Sequence, residues 1–242
     1  MLSGFDRRNF IEAAGVAAAS LALSAELAPG TASAETAFSP NGTPVTYELK
    51  PLPFDPRHVK GLSEKILTSH YENNYGGAVK RLNAIGARLA SLDWATAPTF
   101  LINGLKREEL IATNSMILHE HFFDALGGDG QPTGSLPEAI KRDFGSVERW
   151  RAEFAAMGKA EGGGSGWVIL AYSPRDKRLV NTWAADHTTT LAGGRPVLVL
   201  DMYEHAYHMD YGAKAAAYVD AFMQGIRWDS PAKFYERYSR ET

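Results

Sequence analysis

Residues 197–207 read VLVLDMYEHAY, and this stretch determines how the rest of the sequence is interpreted. Its four apolar residues predict a short buried strand that ends at Asp201. His205 follows four residues later, at the start of the next predicted helix, so a carboxylate and an imidazole can converge on one metal ion. Such a donor pair suits Mn, Fe or Zn. The spacing also fits a plainer arrangement, in which Asp201 caps a helix and His205 lies in the core.

Two further histidines extend this candidate site. His70 and His119 lie on helical segments with apolar neighbours, and each taken alone also fits a core or surface histidine. The chain has 7 histidines and no cysteine, so a metal site must be built from imidazoles and carboxylates. His121 lies two residues beyond His119 on another face of the helix, where we expect it at the surface or at an interface.

Apolar periodicity divides the chain into a helical half and a mixed half. Ser63 begins a helical stripe that continues to about Leu89, and a second helix is predicted from about Arg107 to Leu126. Together they predict an N-terminal helical hairpin domain over residues 51–133.

The second half, residues 134–242, is predicted to be an α/β domain. Its predicted elements are helices at 137–143 and 147–159, strands at 167–172, 179–183 and 196–200, and a last helix from about 204 to 226. The fold class is therefore α+β, an N-terminal helical hairpin followed by a C-terminal α/β domain with a small three-stranded antiparallel sheet. The glycine run at 162–166 precedes a strand and lacks a following Lys-Ser/Thr pair, so it is not a phosphate loop. No organic cofactor site is predicted.

Composition excludes several classes of protein. Of the 242 residues, 45% are hydrophobic and 22% are charged, which is ordinary for a globular protein and excludes general disorder. The 25 Lys and Arg residues are outnumbered by 28 Asp and Glu residues, giving a net charge of −3. Without a basic excess, we expect no nucleic-acid partner.

The first 34 residues predict an export signal. Arg7 and Arg8 precede an apolar stretch over about residues 13–27, and small residues at 32–34 offer a cleavage site. This order is typical of a twin-arginine signal peptide, which is a receptor-read address. We therefore expect a periplasmic or extracellular protein with no membrane span after cleavage. Residues 35–50 lack periodicity and predict a linker.

Four ordered blocks resemble the iron/manganese superoxide dismutases, over about residues 52–228. The family's motif Asp-x-Trp-Glu-His-Ala-Tyr stands here as DMYEHAY at 201–207. His119 is followed by Phe122 and Phe123, as in the family, and His70 stands in the family's block LTSHY. The fourth block is GSGW at 164–167.

This resemblance implies a metal centre and an activity. His70, His119, Asp201 and His205 would bind one Fe or Mn ion per subunit together with a solvent molecule. The implied substrate is superoxide, which is dismuted to oxygen and hydrogen peroxide. The choice between Fe and Mn stays open, because groups around the ligands tune the metal.

Three more residues receive implied roles. His187 would hydrogen-bond the bound solvent, and Tyr203 stands where the family motif has Trp. Glu204 would reach the ligand histidine of a second subunit, which implies a homodimer or homotetramer. These three are the candidate catalytic residues.

The sequence departs from the family along the path to the metal. The family's gateway tyrosine and histidine fall on Ala78 and Asn74, and a further tyrosine falls on His208. Tyr75 is near in sequence, but on an α-helix it would lie about 60° from Ala78 around the axis. Two alternatives therefore stay open: a non-dismutase metal-binding protein of the envelope, and a peroxidase-like metalloenzyme on the same scaffold.

Overall fold

Two helical runs form the N-terminal half, as predicted. The computed structural model describes residues 44–241. Helix α1 (Glu64–Ser69) begins at Ser63, whose Oγ accepts the Ile66 N–H at 3.2 Å. A π-helical segment (His70–Tyr75) joins α1 to α2 (Gly76–Ala90). Helix α3 (Thr99–Asp124) packs against α2 and completes the hairpin.

Helix α3 is longer than the apolar pattern predicted. It begins at Thr99, directly after Pro98, rather than at about Arg107. Its first turns expose Phe100, and no residue before Ala112 is fully buried, so this part of the helix lacks the buried stripe from which the helix start was inferred.

The mixed half contains a three-stranded antiparallel sheet, which confirms the predicted fold class. Helices α4 (Leu136–Phe144) and α5 (Val147–Ala160) precede the strands. The strands are β1 (Trp167–Ser173), β2 (Arg178–Ala184) and β3 (Arg195–Asp201), in the order β2-β1-β3. Strand β1 is central and buried along its whole length, which explains its unbroken apolar sequence.

The register of the sheet sets two site residues side by side. Trp167 at the start of β1 pairs with Asp201 at the end of β3. The largest fully buried side chains include those of Trp150, Trp167, Trp228, Phe122, Phe154 and Phe222.

The predicted single last helix is wrong. The chain instead forms a 3-10 turn (Glu204–Ala206) followed by the helices α6 (His208–Tyr211) and α7 (Ala215–Gln224). Gly212 ends α6 with a φ of 53°, a left-handed conformation that interrupts the helix. A further helix, α8 (Asp229–Arg240), was not predicted.

A close backbone approach joins the loop after α3 to the end of α7. The Gly128 N–H donates to the Gly225 carbonyl at 2.9 Å. A Cβ at Gly128 would lie 2.3 Å from the Ile226 carbonyl oxygen, so a larger residue would force the two segments apart.

Residues 44–50, the described part of the predicted linker, lie along the helical hairpin. The Asn83 side chain accepts the Tyr47 N–H and donates to the Tyr47 carbonyl, both at 2.8 Å. The Lys50 N–H donates to the Tyr75 hydroxyl at 3.1 Å. The predicted signal peptide and the rest of the predicted linker lie outside the described residues. None of the helices within residues 44–241 combines the length and the apolar composition of a membrane-spanning segment.

Candidate metal centre

Four side chains from separate elements meet in the core. His70 opens the π-helical segment, His119 lies in α3, Asp201 ends β3, and His205 lies in the 3-10 turn that follows. One ligand atom from each residue lies within 4.8 Å of the other three. The structure therefore brings together all four residues that the sequence singled out as ligands.

The imidazoles converge on one carboxylate oxygen. Asp201 Oδ2 lies 3.1 Å from His70 Nε2, 3.3 Å from His205 Nε2 and 3.6 Å from His119 Nε2. Ligand atoms held at about 2.1 Å from one ion, at angles of 90–120°, are separated by about 3.0–3.6 Å. The buried Nε2 atoms of His70 and His119 have no hydrogen-bond partner, as expected of atoms that bind a metal.

The surroundings of His70, His119 and Asp201 determine the protonation states of these side chains. Desolvation lowers the pKa of His70 below its usual range and that of His119 to about 3. Burial alone would raise the pKa of Asp201, but the nearby His205 and His70 outweigh it and hold that pKa below its usual range. Neutral imidazoles and a carboxylate anion are the protonation states in which these groups bind metal.

Backbone groups orient two of the ligands. His119 Nδ1 donates to the Ser115 carbonyl at 2.6 Å, which leaves Nε2 unprotonated and facing the cluster. Asp201 Oδ1 accepts the Tyr203 N–H at 2.8 Å, and the Tyr218 hydroxyl donates to the Asp201 carbonyl at 2.8 Å. These contacts orient the ligands before any metal binds. Neither Ser115 nor Tyr218 was predicted as a supporting residue, and the one available signal is that Ser115 lies one helical turn before His119.

Comparison with known proteins agrees with this geometry. Residues 132–234 match the profile of the iron/manganese superoxide dismutases, C-terminal domain. A superoxide dismutase [Fe] of Cupriavidus metallidurans is 74% identical over 186 residues, covering 77% of this chain and 94% of that protein. The chain belongs to the iron/manganese superoxide dismutase family. The resemblance noted in the sequence is confirmed.

More distant relatives span both metals of the family. Superoxide dismutase [Mn] 1 of Halobacterium salinarum is 36% identical over 196 residues, covering 79% of this chain and 96% of that protein. Superoxide dismutase [Fe] of Aquifex pyrophilus is 34% identical over 190 residues, covering 75% of this chain and 88% of that protein.

In this member of the family, His187 lies beside the ligands. Trp167 Nε1–H donates to His187 Nδ1 at 3.1 Å. Because an indole nitrogen can only donate, His187 carries its proton on Nε2 when neutral. The Asn114 side chain donates to the His187 carbonyl at 2.5 Å and fixes this loop to α3.

Tyr203 lies between two imidazoles, and Glu204 lies at the surface. The Tyr203 ring stacks on His187 at 4.9 Å and on His205 at 5.2 Å between ring centroids. Glu204 is exposed, and no hydrogen bond or ion pair engages its side chain within residues 44–241. The structure thus places the Tyr203 ring against the cluster and the Glu204 side chain outside it.

The altered gateway positions line the entrance to this dismutase-family site. Asn74 and Ala78 border a cavity of about 360 Å³ that reaches His119, His187 and His205. Tyr75 does not compensate for the missing phenol there. Its hydroxyl donates to Glu120 at 3.0 Å, and Tyr75 is not among the residues lining the cavity.

His121 is not at the surface, so that expectation is wrong. It is only 7% exposed and packs against Phe234 of α8, with ring centroids 4.2 Å apart. Burial lowers its pKa to about 4. The expectation failed because α8 was not predicted.

The two neighbouring histidines provide a matched test of the ligand set. His119→Ala removes a donor atom of the site. It should therefore reduce bound metal by at least roughly 10–100-fold, which is the effect of losing a residue that only orients a ligand. His121→Ala should keep its metal and lower the free energy of unfolding by about 1–3 kcal/mol, since it opens a packed site. Metal analysis of the purified variants and urea unfolding measure both. Equal metal loss in the two variants would contradict the ligand assignment.

Proposed function

We propose that this protein catalyses the dismutation of superoxide to oxygen and hydrogen peroxide at one iron or manganese ion per subunit. The observation that carries the proposal is the buried convergence of His70, His119 and His205 on Asp201. Membership of the superoxide dismutase family supports it independently.

The reaction consumes protons, while its electrons only pass from one superoxide to another. Two superoxide anions and two protons give one oxygen and one hydrogen peroxide, so the site must supply protons to the reduced product. An iron or manganese ion held by His70, His119, Asp201 and His205 would supply the redox chemistry, since either metal can alternate between the +2 and +3 states. Iron is favoured here, because the relative with 74% identity is named an iron enzyme.

The chain's own residues supply the remaining requirements. The carboxylate of Asp201 and three neutral imidazoles suit a redox-active cation of charge +2 or +3. His187 is proposed to hold and transfer a proton at Nε2, because the indole of Trp167 occupies its Nδ1. Tyr203 stacks on His187 and keeps that ring close to His205.

The alternative functions use the same four ligands. Metal storage in the envelope and a peroxidase-like activity both rest on the altered residues Asn74 and Ala78. Neither change touches a ligand, and the relatives reported above are named superoxide dismutases. Dismutation is therefore the better-supported function.

We also propose that the protein is exported and that it assembles as a homodimer or homotetramer. Export rests on the ordered signal features of residues 1–34. Assembly rests on Glu204, an exposed carboxylate directly before the ligand His205. A carboxylate that accepts an imidazole N–H of a neighbouring subunit would orient that ligand and link assembly to metal binding.

The first prediction for this function concerns His187. At equal metal content, His187→Ala should lower superoxide consumption about 10²-fold, the lower end of the effect of a positioned proton donor. His187→Gln should retain more activity, because an amide N–H can still donate. His58→Ala, which changes a histidine whose side chain is 79% exposed, is the matched control and should retain full activity. Unchanged turnover in a fully metallated His187→Ala protein would exclude the proposed role.

A second prediction is that Glu204 links assembly to metal binding. Glu204→Ala should shift the protein towards monomer and lower its metal content, because the proposed contact serves both. Light scattering at several protein concentrations and metal analysis measure the two effects. Glu48→Ala, which changes an exposed carboxylate outside the cluster, is the control. A Glu204→Ala protein with wild-type assembly and metal content would refute the link.

A third prediction is that Arg7 and Arg8 direct export. Replacing Arg7 and Arg8 by Lys should retain the precursor in the cytoplasm, since the arginine pair is the address. Cell fractionation and immunoblotting would detect the unprocessed form. Replacing Lys50, which lies beyond the predicted signal, by Arg should leave export unchanged. Normal export of the double Lys variant would show that another route is used.

A further inference from the structure

The cavity above the metal centre is much larger than the substrate requires. It opens between α2 and α3 and has a volume of about 360 Å³. Superoxide has only two heavy atoms, whereas this volume equals that of about 12 water molecules at roughly 30 Å³ each. It also falls within the range of roughly 300–1,000 Å³ that is typical of small-molecule sites.

The two helices give this cavity a depth and a direction. Ile111, Ser115 and His119 follow one face of α3 at intervals of four residues, which spans about 12 Å along the helix axis. All three line the cavity. His119 therefore lies at the floor, with Ile111 and the exposed Arg81 at the mouth.

Small residues keep the middle of the cavity open. Gly77 and Ala78 of α2 face Ala112 and Ser115 of α3, so no large side chain crosses the space. A Cβ built on Gly77 meets no atom within 4 Å. The methyl groups of the two alanines give this middle section an apolar character.

The polar groups of the lining suit an anion. Arg81, at the mouth, is the one formally cationic side chain among the described residues that line the cavity, and it is already ion-paired with Glu108. At the floor, the Asn74 carboxamide has no hydrogen-bond partner within residues 44–241, and His187 Nε2 carries a proton when the ring is neutral. Apolar walls above N–H donors at the floor match an anion with a short apolar tail.

We propose that this cavity binds short-chain monocarboxylates, which compete with superoxide for access to the metal centre. This proposal rests on the proposed function, because it assigns a second ligand class to the same site. The carboxylate is placed near Asn74 and His187, and the alkyl chain between Ala78 and Ala112.

A chain-length series tests the apolar contact. The metallated protein is titrated with formate, acetate, propionate and butyrate at constant ionic strength, by isothermal calorimetry. Each added methylene should tighten binding about two- to fourfold, the upper value being that of a fully buried methylene. Butyrate should also weaken the binding of azide, a small anion followed through the visible absorption of the metal. A flat dependence on chain length, or no competition with azide, would overturn the proposal.

Two glycine variants test the location. Gly77→Leu should weaken butyrate binding at least tenfold while azide binding changes less than threefold, because the new side chain fills the middle of the cavity. Gly104→Leu is the matched control, since it also replaces a helical glycine with open space around its Cβ. It lies outside the cavity and should leave both ligands unaffected. Equal butyrate binding in the wild type and in Gly77→Leu would overturn the assignment.

The outcomes separate this proposal from the proposed function. A protein that consumes superoxide and binds azide but binds no carboxylate would refute the carboxylate site and leave dismutation standing. A fully metallated protein that binds butyrate with the expected chain-length dependence but consumes no superoxide would refute dismutation and leave the carboxylate site in place.

Discussion

The structure depends on the burial of the Asp201 carboxylate among three imidazoles. Asp201 is completely buried, and an ion removed from water costs several kcal/mol unless it is compensated. Here the compensation comes from the Tyr203 N–H and the converging histidines. A metal ion would neutralise the carboxylate and engage the unpartnered imidazole nitrogens. Folding and metal binding are therefore linked, because the segments that form this site must meet to satisfy its charges.

The π-helical segment shows how a local irregularity serves the site. His70–Tyr75 adopts the wider i→i+5 pattern between two α-helices. It places His70 in the cluster and turns Tyr75 towards Glu120 and Lys50. The described arm before α1 thus joins the helical hairpin through the same segment that provides a ligand. Stability of the hairpin and geometry of the site share these contacts.

The entrance to the site is built differently from the ligand cluster. Backbone contacts orient the ligands His119 and Asp201, whereas the entrance path beyond its mouth passes between small residues of two helices. Such an entrance can vary without loss of the metal, because no ligand depends on Ala78 for its orientation. Substrate choice and metal binding can therefore change separately within one fold.

The sequence by itself determined most of the elements, and its resemblance to the dismutase family supplied the four ligands. The stretch VLVLDMYEHAY fixes a strand end and an imidazole four residues later, and both features are local. The central strand was predicted at 167–172 and is Trp167–Ser173, because an unbroken apolar run needs no distant partner to be recognised. Local patterns also located the helical hairpin.

Only the tertiary structure decided which side chains surround these elements. His121 is buried because Phe234, more than a hundred residues away, packs on it, and no periodicity within α3 contains that information. The prediction of one helix over 204–226 was wrong because Gly212 adopts a left-handed conformation. The alanines and aromatic residues around Gly212 made the sequence resemble a continuous helix. The direction of Tyr75 depends on a π-helical turn, and the cavity depends on the separation of two helices. Each of these properties arises from packing between distant segments, which a one-dimensional pattern does not encode.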